Sequence, residues 1–284
     1  MKKNFFPSTF LICVLFVSLS VGQVLPPPPE VAAVMDNHKA GERMTFAIKD
    51  IEYAFRWCPS GTFTMGSPVG ERWRKIDETQ HQVTLSRGFW MLETEATQGM
   101  WESVMGNNPS NFKGAKRPVE MVSWNDCQEY IKKLNDLNVA PAGLKFSLPT
   151  EAQWEYACRA GTTTAFHFGD TTTLTLERAL FSGLTSARNT GQTKEVGSYP
   201  ANDWGLHDMH GSVWEWCSDL YEAYPDGAAT DPTGGSAESL DRVFRGGSWH
   251  NGSGALRSAW RDHHPPTMRQ SPIGCRIALV STEK

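Results

Sequence analysis

Two stretches of the chain place apolar residues at helical spacing directly behind a capping pair. Ser123 is followed by Asp126, and Thr150 by Gln153, at the spacing of a capping box. The apolar positions behind these pairs recur at helical intervals and are Cys127, Tyr130, Ile131, Leu134, Trp154, Ala157 and Cys158. The pattern predicts one helix beginning at each pair, and Gly161 predicts the end of the second.

Weaker patterns surround these two helices. Residues 46–65 alternate between apolar and polar positions around a Pro-Gly turn, which predicts two short strands. Residues 82–86 and 88–91 are predicted to form another hairpin, and residues 97–105 a short helix. Beyond Gly161 there is little periodicity, and glycines and turn residues are frequent. We therefore expect an α+β fold with few helices, short strands and a large irregular fraction.

The first 22 residues have the three parts of a signal peptide. Lys2 and Lys3 precede an apolar run over 10–17, and small residues follow over 18–22. The run is shorter than the ~20 apolar residues that a membrane-spanning helix needs, so we expect cleavage. A retained anchor is the alternative interpretation. We expect an exported protein that is secreted, periplasmic or displayed at the cell surface.

The remainder divides into a linker and a domain. Residues 23–45 contain a run of four prolines, which predicts a stiff, extended linker. Residues 46–284 contain no second linker and are long enough to bury one sizeable core. We therefore predict a single domain over this range.

Charge and cysteine content narrow the classes of partner. The net charge is −4 and the basic residues are scattered, which argues against nucleic acid and against an anionic membrane surface. No membrane span is expected after cleavage of the signal. Five of the six cysteines follow the signal peptide: Cys58, Cys127, Cys158, Cys217 and Cys275. Export permits disulfides, and an odd number leaves at least one thiol free or paired with another chain.

Seven blocks of sequence, in one order, resemble the formylglycine-generating enzyme (sulfatase-modifying factor) family. The blocks are Gly61–Ser67, His81–Leu85, Glu93–Gln98, Pro118–Asp126, Leu148–Ala157, Gly205–Trp216 and Arg245–Trp249. They extend from about residue 50 towards the end of the chain. The resemblance implies a loop-rich, C-type-lectin-like fold, which agrees with the α+β class predicted above.

The resemblance also implies a copper chemistry that this chain lacks the residues to perform. Active members are similar in using two nearby cysteines to bind copper and, with O₂, to oxidise a substrate cysteine to formylglycine. The corresponding segment, 249–261, contains no cysteine, and Asn251 stands where the first is expected. Because Cu(I) prefers soft thiolate ligands, we expect no copper and no catalytic residue here. Cys275 alone supplies one thiol, and we expect it to pack as a small hydrophobe or to form a disulfide.

A structural calcium ion is a second property that the resemblance implies. The carboxylates of Asp208 and Glu215 and the carbonyls of Gly211 and Val213 match the family's ligand positions. Hard oxygen ligands of this kind suit Ca²⁺. The alternative is that Glu215 pairs with an arginine such as Arg245 or Arg261. His207, His210, His263 and His264 are expected to be surface histidines, because the ligand patterns of zinc sites are absent.

Two classes of function follow. In the first, the protein is a non-catalytic binding module that presents part of its 249–272 loop to a protein or a glycan. The predicted ligand-binding residues are Trp249, His250, Asn251, Trp260, Arg261, His263 and His264. Aromatic and arginine side chains dominate many binding surfaces, which favours this group. In the second, the chain retains formylglycine-generating or related redox activity through other ligands.

Overall fold

The structure, a computed structural model, describes residues 37–182, 191–235 and 240–283. The predicted signal peptide and residues 23–36 of the predicted linker lie outside the described residues. The helices are α1 (Gln98–Met105), α2 (Trp124–Asp136) and α3 (Glu151–Arg159). The strands are β1 (Arg43–Ile48), β2 (Ile51–Cys58), β3 (Gly61–Met65), β4 (His81–Leu85), β5 (Phe89–Leu92), β6 (Leu144–Ser147), β7 (Trp214–Leu220), β8 (Ala229–Thr230), β9 (Arg242–Arg245), β10 (Arg261–His264), β11 (Ile273–Gly274) and β12 (Ala278–Ser281). Short strands and few helices confirm the predicted α+β class.

Both predicted capping boxes form. The Asp126 backbone N–H donates to Ser123 Oγ at 3.2 Å, and Asp126 Oδ2 accepts from the Ser123 backbone N–H at 2.8 Å. Thr150 and Gln153 make the same reciprocal pair at the start of α3, at 3.1 and 2.9 Å. These bonds satisfy N–H groups that a helix leaves free at its first turn. The starts of α2 and α3 are therefore determined by local sequence, whereas α3 ends one residue earlier than predicted, with Ala160 in the left-handed cap position.

The largest sheet joins the two ends of the described chain. Its strand order is β1-β2-β5-β12-β6, and every neighbouring pair is antiparallel. β12, the last strand, inserts between β5 and β6. All four residues of β5 are buried, because strands cover both of its edges and packed layers cover both of its faces.

The predicted hairpin over residues 82–91 is wrong in its pairing. Both strands form, but β4 pairs with β3 and β8, whereas β5 pairs with β2 and β12. Gly88, between the two strands, packs directly against β2, since a Cβ there would lie 2.2 Å from the Trp57 ring. The uniformly apolar Phe89–Leu92 can be fully buried only in the centre of the large sheet, which separates it from β4. The two strands predicted around Pro59 likewise belong to different sheets, β2 to the five-stranded and β3 to the three-stranded one.

A four-stranded sheet carries most of the later signature segments. Its order is β10-β9-β7-β11, with β7 and β9 antiparallel and β7 and β11 parallel. Glu215 on β7 faces Arg245 on β9 across the ladder. The segments containing the predicted calcium residues and the predicted ligand-binding loop are thereby held on neighbouring strands.

The folded part of the chain begins before residue 46, which was the predicted first residue of the domain. β1 starts at Arg43, and the His38 ring lies 5.1 Å from that of Trp57 and 4.8 Å from that of Trp90. The ordered fold therefore includes residues that the sequence assigned to the linker. Within the part of the chain that the structure describes, no helix has both the length and the apolar character needed to cross a membrane.

Candidate functional site

A tight glycine turn after β9 positions the segment that corresponds to the family's copper site. Gly246 and Gly247 have φ angles of +95° and +74°, and a Cβ on Gly247 would lie 2.7 Å from the Ala255 carbonyl oxygen. Only glycine adopts this conformation at so close an approach. The turn therefore folds residues 249–261 back against the strand that precedes them.

Asn251 stabilises this turn through hydrogen bonds of its side chain and its backbone. Its Oδ1 accepts a hydrogen bond from Ser248 Oγ, its backbone N–H donates to the Ser248 carbonyl at 3.0 Å, and its carbonyl accepts from the Ser182 N–H at 2.8 Å. The residue at the expected first cysteine position is thus a hydrogen-bonded turn residue.

The cysteines lie in the hydrophobic interior. All five described cysteines are free and buried: Cys58, Cys127, Cys158, Cys217 and Cys275. Burial is the main cause that raises the thiol pKa of Cys58, Cys127 and Cys217 well above its ordinary value, and that of Cys158 to about 12. Cysteine binds copper as the thiolate, and burial favours the neutral thiol at these four positions.

The structure buries two of the seven predicted ligand-binding residues. Trp249 is buried edge-on against Phe112, and Arg261 is buried in an ion pair with Glu151. His250 is exposed, whereas the remaining members are half-buried: Asn251, Trp260, His263 and His264. His263 Nδ1 lies 2.7 Å from Asp241 Oδ2, and its ring stacks on Tyr221 at 3.8 Å. His250, Trp260, His263 and His264 retain exposed surface, and a ligand-binding role for them stays a prediction.

Arg261 borders a cavity of about 280 Å³ instead of an outer surface. Glu151, Asp219, His81 and Tyr224 line the same cavity. Asp219 is fully buried there, and burial together with the neighbouring Glu151 charge raises its pKa to about 7. Its Oδ2 accepts from the Glu151 N–H at 2.9 Å, so the carboxyl group also caps the start of α3.

A buried ion network that the sequence analysis missed lies beside this cavity. Arg245 pairs with Glu151 and Glu155, Glu155 also pairs with Arg159, and Arg261 pairs with Glu151. All five side chains are buried. The i,i+4 spacing of Glu155 and Arg159 was the one local signal, whereas the arginine partners on β9 and β10 are distant in sequence.

The predicted calcium residues meet at the start of β7. Asp208 is buried with φ +60°; its Oδ2 accepts from the Gly197 N–H, and its Oδ1 has no hydrogen-bond partner among the described residues. An unpartnered buried carboxylate oxygen suits a hard cation. Glu215 fits less well, because both of its oxygens accept from Arg276 and one also accepts from Trp154 Nε1 at 2.6 Å. In residues 37–182, 191–235 and 240–283, no three His, Cys, Asp or Glu side chains converge as a metal-binding group. Calcium therefore stays a prediction, with Asp208 its best-fitting ligand.

Gly211 and Val213 lie between these two carboxylates and are both buried. Gly211 has φ +97°, and a Cβ there would lie 2.1 Å from the Leu180 carbonyl oxygen. We expect Gly211→Ala to lower the free energy of unfolding by about 3 kcal/mol, because strain and a backbone clash add. Gly106→Ala is the matched control, since Gly106 has φ +78° with open space around it. Urea denaturation should show a cost of only about 1 kcal/mol for the control; equal costs for both would contradict the clash.

The prediction that His210 is a surface histidine is wrong. It is buried, not a surface residue: its Nδ1 lies 2.7 Å from the Leu256 carbonyl oxygen, and its Nε2 accepts from the His167 N–H at 3.0 Å. Burial, as the largest cause, holds its pKa well below its ordinary value. His207 is half-buried with Nδ1 2.8 Å from the Tyr199 carbonyl. Both imidazoles have backbone hydrogen-bond partners that orient them in the fold.

Known proteins resemble this chain in sequence and in fold. The chaperone protein LppX of Paenibacillus barcinonensis is 31% identical over 217 residues, covering 62% of this chain and 74% of that protein. The formylglycine-generating enzyme of Mus musculus is 30% identical over 209 residues, covering 70% of this chain. The chain spans about half of the mouse enzyme, 53% of its length.

Among solved structures, Treponema denticola variable protein 1 superposes with a TM-score of 0.74 at 27% identity, over 83% of this chain and 98% of that one. The family described as "Sulfatase-modifying factor enzyme 1-like domain" matches residues 51–280, which is most of the chain. The matched range contains the glycine turn, the capped helices and the seven blocks of sequence. The chain belongs to the sulfatase-modifying factor enzyme 1-like (formylglycine-generating enzyme) family.

Proposed function

We propose that this chain is an exported, calcium-stabilised binding module that recognises a protein or glycan ligand and has no copper-dependent cysteine oxidase activity. The observation that carries the proposal is the absence of cysteine from segment 249–261. Asn251 occupies the first cysteine position and is bonded to Ser248 and Ser182. A two-thiolate copper site cannot be built from these residues.

An exposed apolar surface supports the binding part of the proposal. Val69 and Ile76, on the loop formed by residues 68–77, are 89% and 91% exposed. A ligand that covered these side chains would remove their apolar surface from water, which favours binding. The 68–77 loop therefore offers two apolar anchors for a ligand.

The 68–77 loop packs on the segment that the sequence analysis singled out. Lys75 Nζ donates to the Arg261 carbonyl at 2.9 Å and lies 4.9 Å from the Trp260 ring. The Trp73 side chain lies against Gly254. Trp260 is half-buried, so its remaining exposed surface adjoins the loop. Together these elements present apolar, aromatic and cationic groups, a composition that favours a protein ligand.

One relative gives independent support for a protein ligand. The Paenibacillus protein is named a chaperone, and chaperones bind other protein chains. Fold likeness by itself does not assign a ligand, so the surface composition remains the main support.

The proposal predicts that binding depends on the 68–77 loop. Purified mature protein is first screened on a peptide array and a glycan array, and the strongest probe is then titrated against variants. We expect Val69→Ser with Ile76→Ser to weaken binding about tenfold, because losing two buried aliphatic groups removes at least ~1.4 kcal/mol. Val139→Ser is the matched control, since Val139 is exposed after α2 and outside the loop. Unchanged affinity in the double variant would reject this surface, and a glycan probe that outcompetes every peptide would reject a protein ligand.

A further inference from the structure

The cavity of about 280 Å³ beside Arg261 combines apolar walls with buried polar side chains. Asp219 and His81, which both line it, are 2% and 8% exposed. Gly234 packs directly on Asp219, because a Cβ there would lie 2.6 Å from the Asp219 Cβ. Most of the wall is apolar and comes from Met65, Ala152, Leu220, Ala223, Pro225 and Pro232. A concave site with apolar walls and a few buried polar groups suits a small organic group.

The Asp219 carboxyl group offers a hydrogen-bond acceptor to this cavity. Its Oδ2 accepts from the Glu151 N–H and from the Ser218 hydroxyl, both at 2.9 Å. Among the described residues, no hydrogen bond reaches Oδ1. Burial, followed by the Glu151 charge, raises the pKa of Asp219 to about 7, so the surrounding groups do not offset the cost of burying its negative charge. A cation in the cavity would reduce that cost.

His81 offers a second acceptor. Its Nδ1 lies 3.1 Å from the Thr79 carbonyl oxygen, so in the neutral ring Nδ1 carries the hydrogen and Nε2 accepts. Within the part of the chain that the structure describes, Nε2 has no hydrogen-bond partner. The ring lies 4.7 Å from that of Tyr224, whose hydroxyl donates to Glu151 Oε1 at 3.1 Å. Tyr224 thereby holds the His81 ring near Glu151, the residue that also contacts Asp219.

The arginine and the tyrosine of the lining are already committed. Arg261 donates through Nε and Nη2 to the Glu151 carboxylate at 2.8 and 2.7 Å, and through Nη1 to the Glu222 carbonyl at 2.7 Å. Tyr224 likewise donates to Glu151. Among the buried polar side chains of the lining, Asp219 and His81 therefore keep an open position, and both positions accept. The cavity complements a ligand that donates hydrogen bonds.

We propose that this cavity binds a primary ammonium group on an aliphatic stem, the chemistry that a lysine side chain and a free alkylamine share. The ammonium donates to Asp219 Oδ1 and His81 Nε2, and the stem lies against the apolar wall. An ammonium fits better than a guanidinium, because the planar fork of arginine pairs best with two open carboxylate oxygens and Asp219 has one. The proposal goes beyond the surface at Val69 and Ile76, since neither residue lines the cavity.

Calorimetric titration of the purified protein with small probes tests the proposal. The probes are Nα-acetyl-lysine methylamide, its norleucine and arginine analogues, and n-butylamine. The titration is made at about pH 8, where Asp219 is mostly ionised and an alkylamine still carries its proton. We expect saturable binding of the lysine probe, of butylamine or of both, which separates a lysine side chain from a free amine as the source. The norleucine and arginine analogues should bind at least about tenfold more weakly. Equal binding of the norleucine analogue, or no saturable binding of either amine, would overturn the proposal.

Two variants, each with a control, locate the binding site. Asp219→Asn should weaken amine binding at least about tenfold because it removes the charge, whereas Asp226→Asn, exposed on the same loop and outside the cavity, should not. Because Asp219 also caps α3, the second variant leaves it in place. Ala223→Phe adds a ring at an exposed position of the lining and should weaken binding by a similar factor; Ala228→Phe, exposed and outside the lining, is its control. Wild-type affinity in either Asp219→Asn or Ala223→Phe would place the amine elsewhere and overturn the proposal.

Discussion

Arg245→Met is expected to lower the free energy of unfolding by about 3 kcal/mol, because Glu151 and Glu155 each lose one of their two buried arginine partners. Arg245 is fully buried and pairs with Glu151 and Glu155, and its Nη2 also donates to the Ser258 carbonyl at 2.7 Å. Its guanidinium carbon lies 5.5 Å from the centre of the Trp154 ring. Methionine replaces the stem of the side chain but supplies no charge and no donor.

Arg269→Met is the matched control for this prediction. Arg269 donates to both carboxylate oxygens of Asp126 at 2.6 Å, yet its side chain is exposed. An exposed pair of this kind contributes less than about 1 kcal/mol. Urea denaturation followed by circular dichroism measures both variants. Similar, small losses in both would show that the buried network is not an important contribution to stability.

Ser258→Cys is expected to form a new disulfide with Cys158 and to stabilise the oxidised protein by about 2–4 kcal/mol. Cys158 Sγ lies 3.7 Å from Ser258 Oγ, and both residues are buried. The crosslink would close a loop of 100 residues, which strongly restricts the unfolded chain. Oxidised variant should show one fewer free thiol than wild type, and reductant should remove the added stability.

Ser248→Cys controls for the mutation itself. Ser248 is buried like Ser258, but its Oγ bonds Asn251 instead of approaching a cysteine. Its denaturation midpoint should be the same with and without reductant. If Ser258→Cys behaves in the same way, the two β-carbons do not approach closely enough for a disulfide.

The sequence predicted the parts of the fold that depend on neighbouring residues. The helix starts at Ser123 and Thr150 were predicted because a capping box lies within a few residues of chain. Strand pairing was not, as the separation of β4 from β5 shows. The partner of a strand depends on which distant strand completes a buried sheet. The local alternation of apolar and polar residues does not contain that information.

The candidate site, like the fold, was predictable only where it depends on residues close together in sequence. The absence of cysteine from 249–261 could be read directly, whereas Asp208 was named only as a calcium ligand implied by the resemblance, and that role stays a prediction. Arg276 was missed because its partners Glu215 and His207 lie more than sixty residues away in the chain. The burial of Trp249 and Arg261 was missed for a related reason: aromatic and arginine side chains serve binding surfaces and buried networks alike.

The most direct test of the account is copper binding and oxygen use by the mature protein. Cu(I) is titrated in competition with a chelator, and O₂ consumption is followed in the same sample with a cysteine-containing sulfatase peptide. The mouse formylglycine-generating enzyme serves as the positive control. The account predicts no tight copper binding and no formylglycine, since Asn251 supplies no thiolate and the described cysteines are buried. Tight one-to-one copper binding with turnover of the peptide would contradict it and would make this chain an oxidase with an unrecognised ligand set.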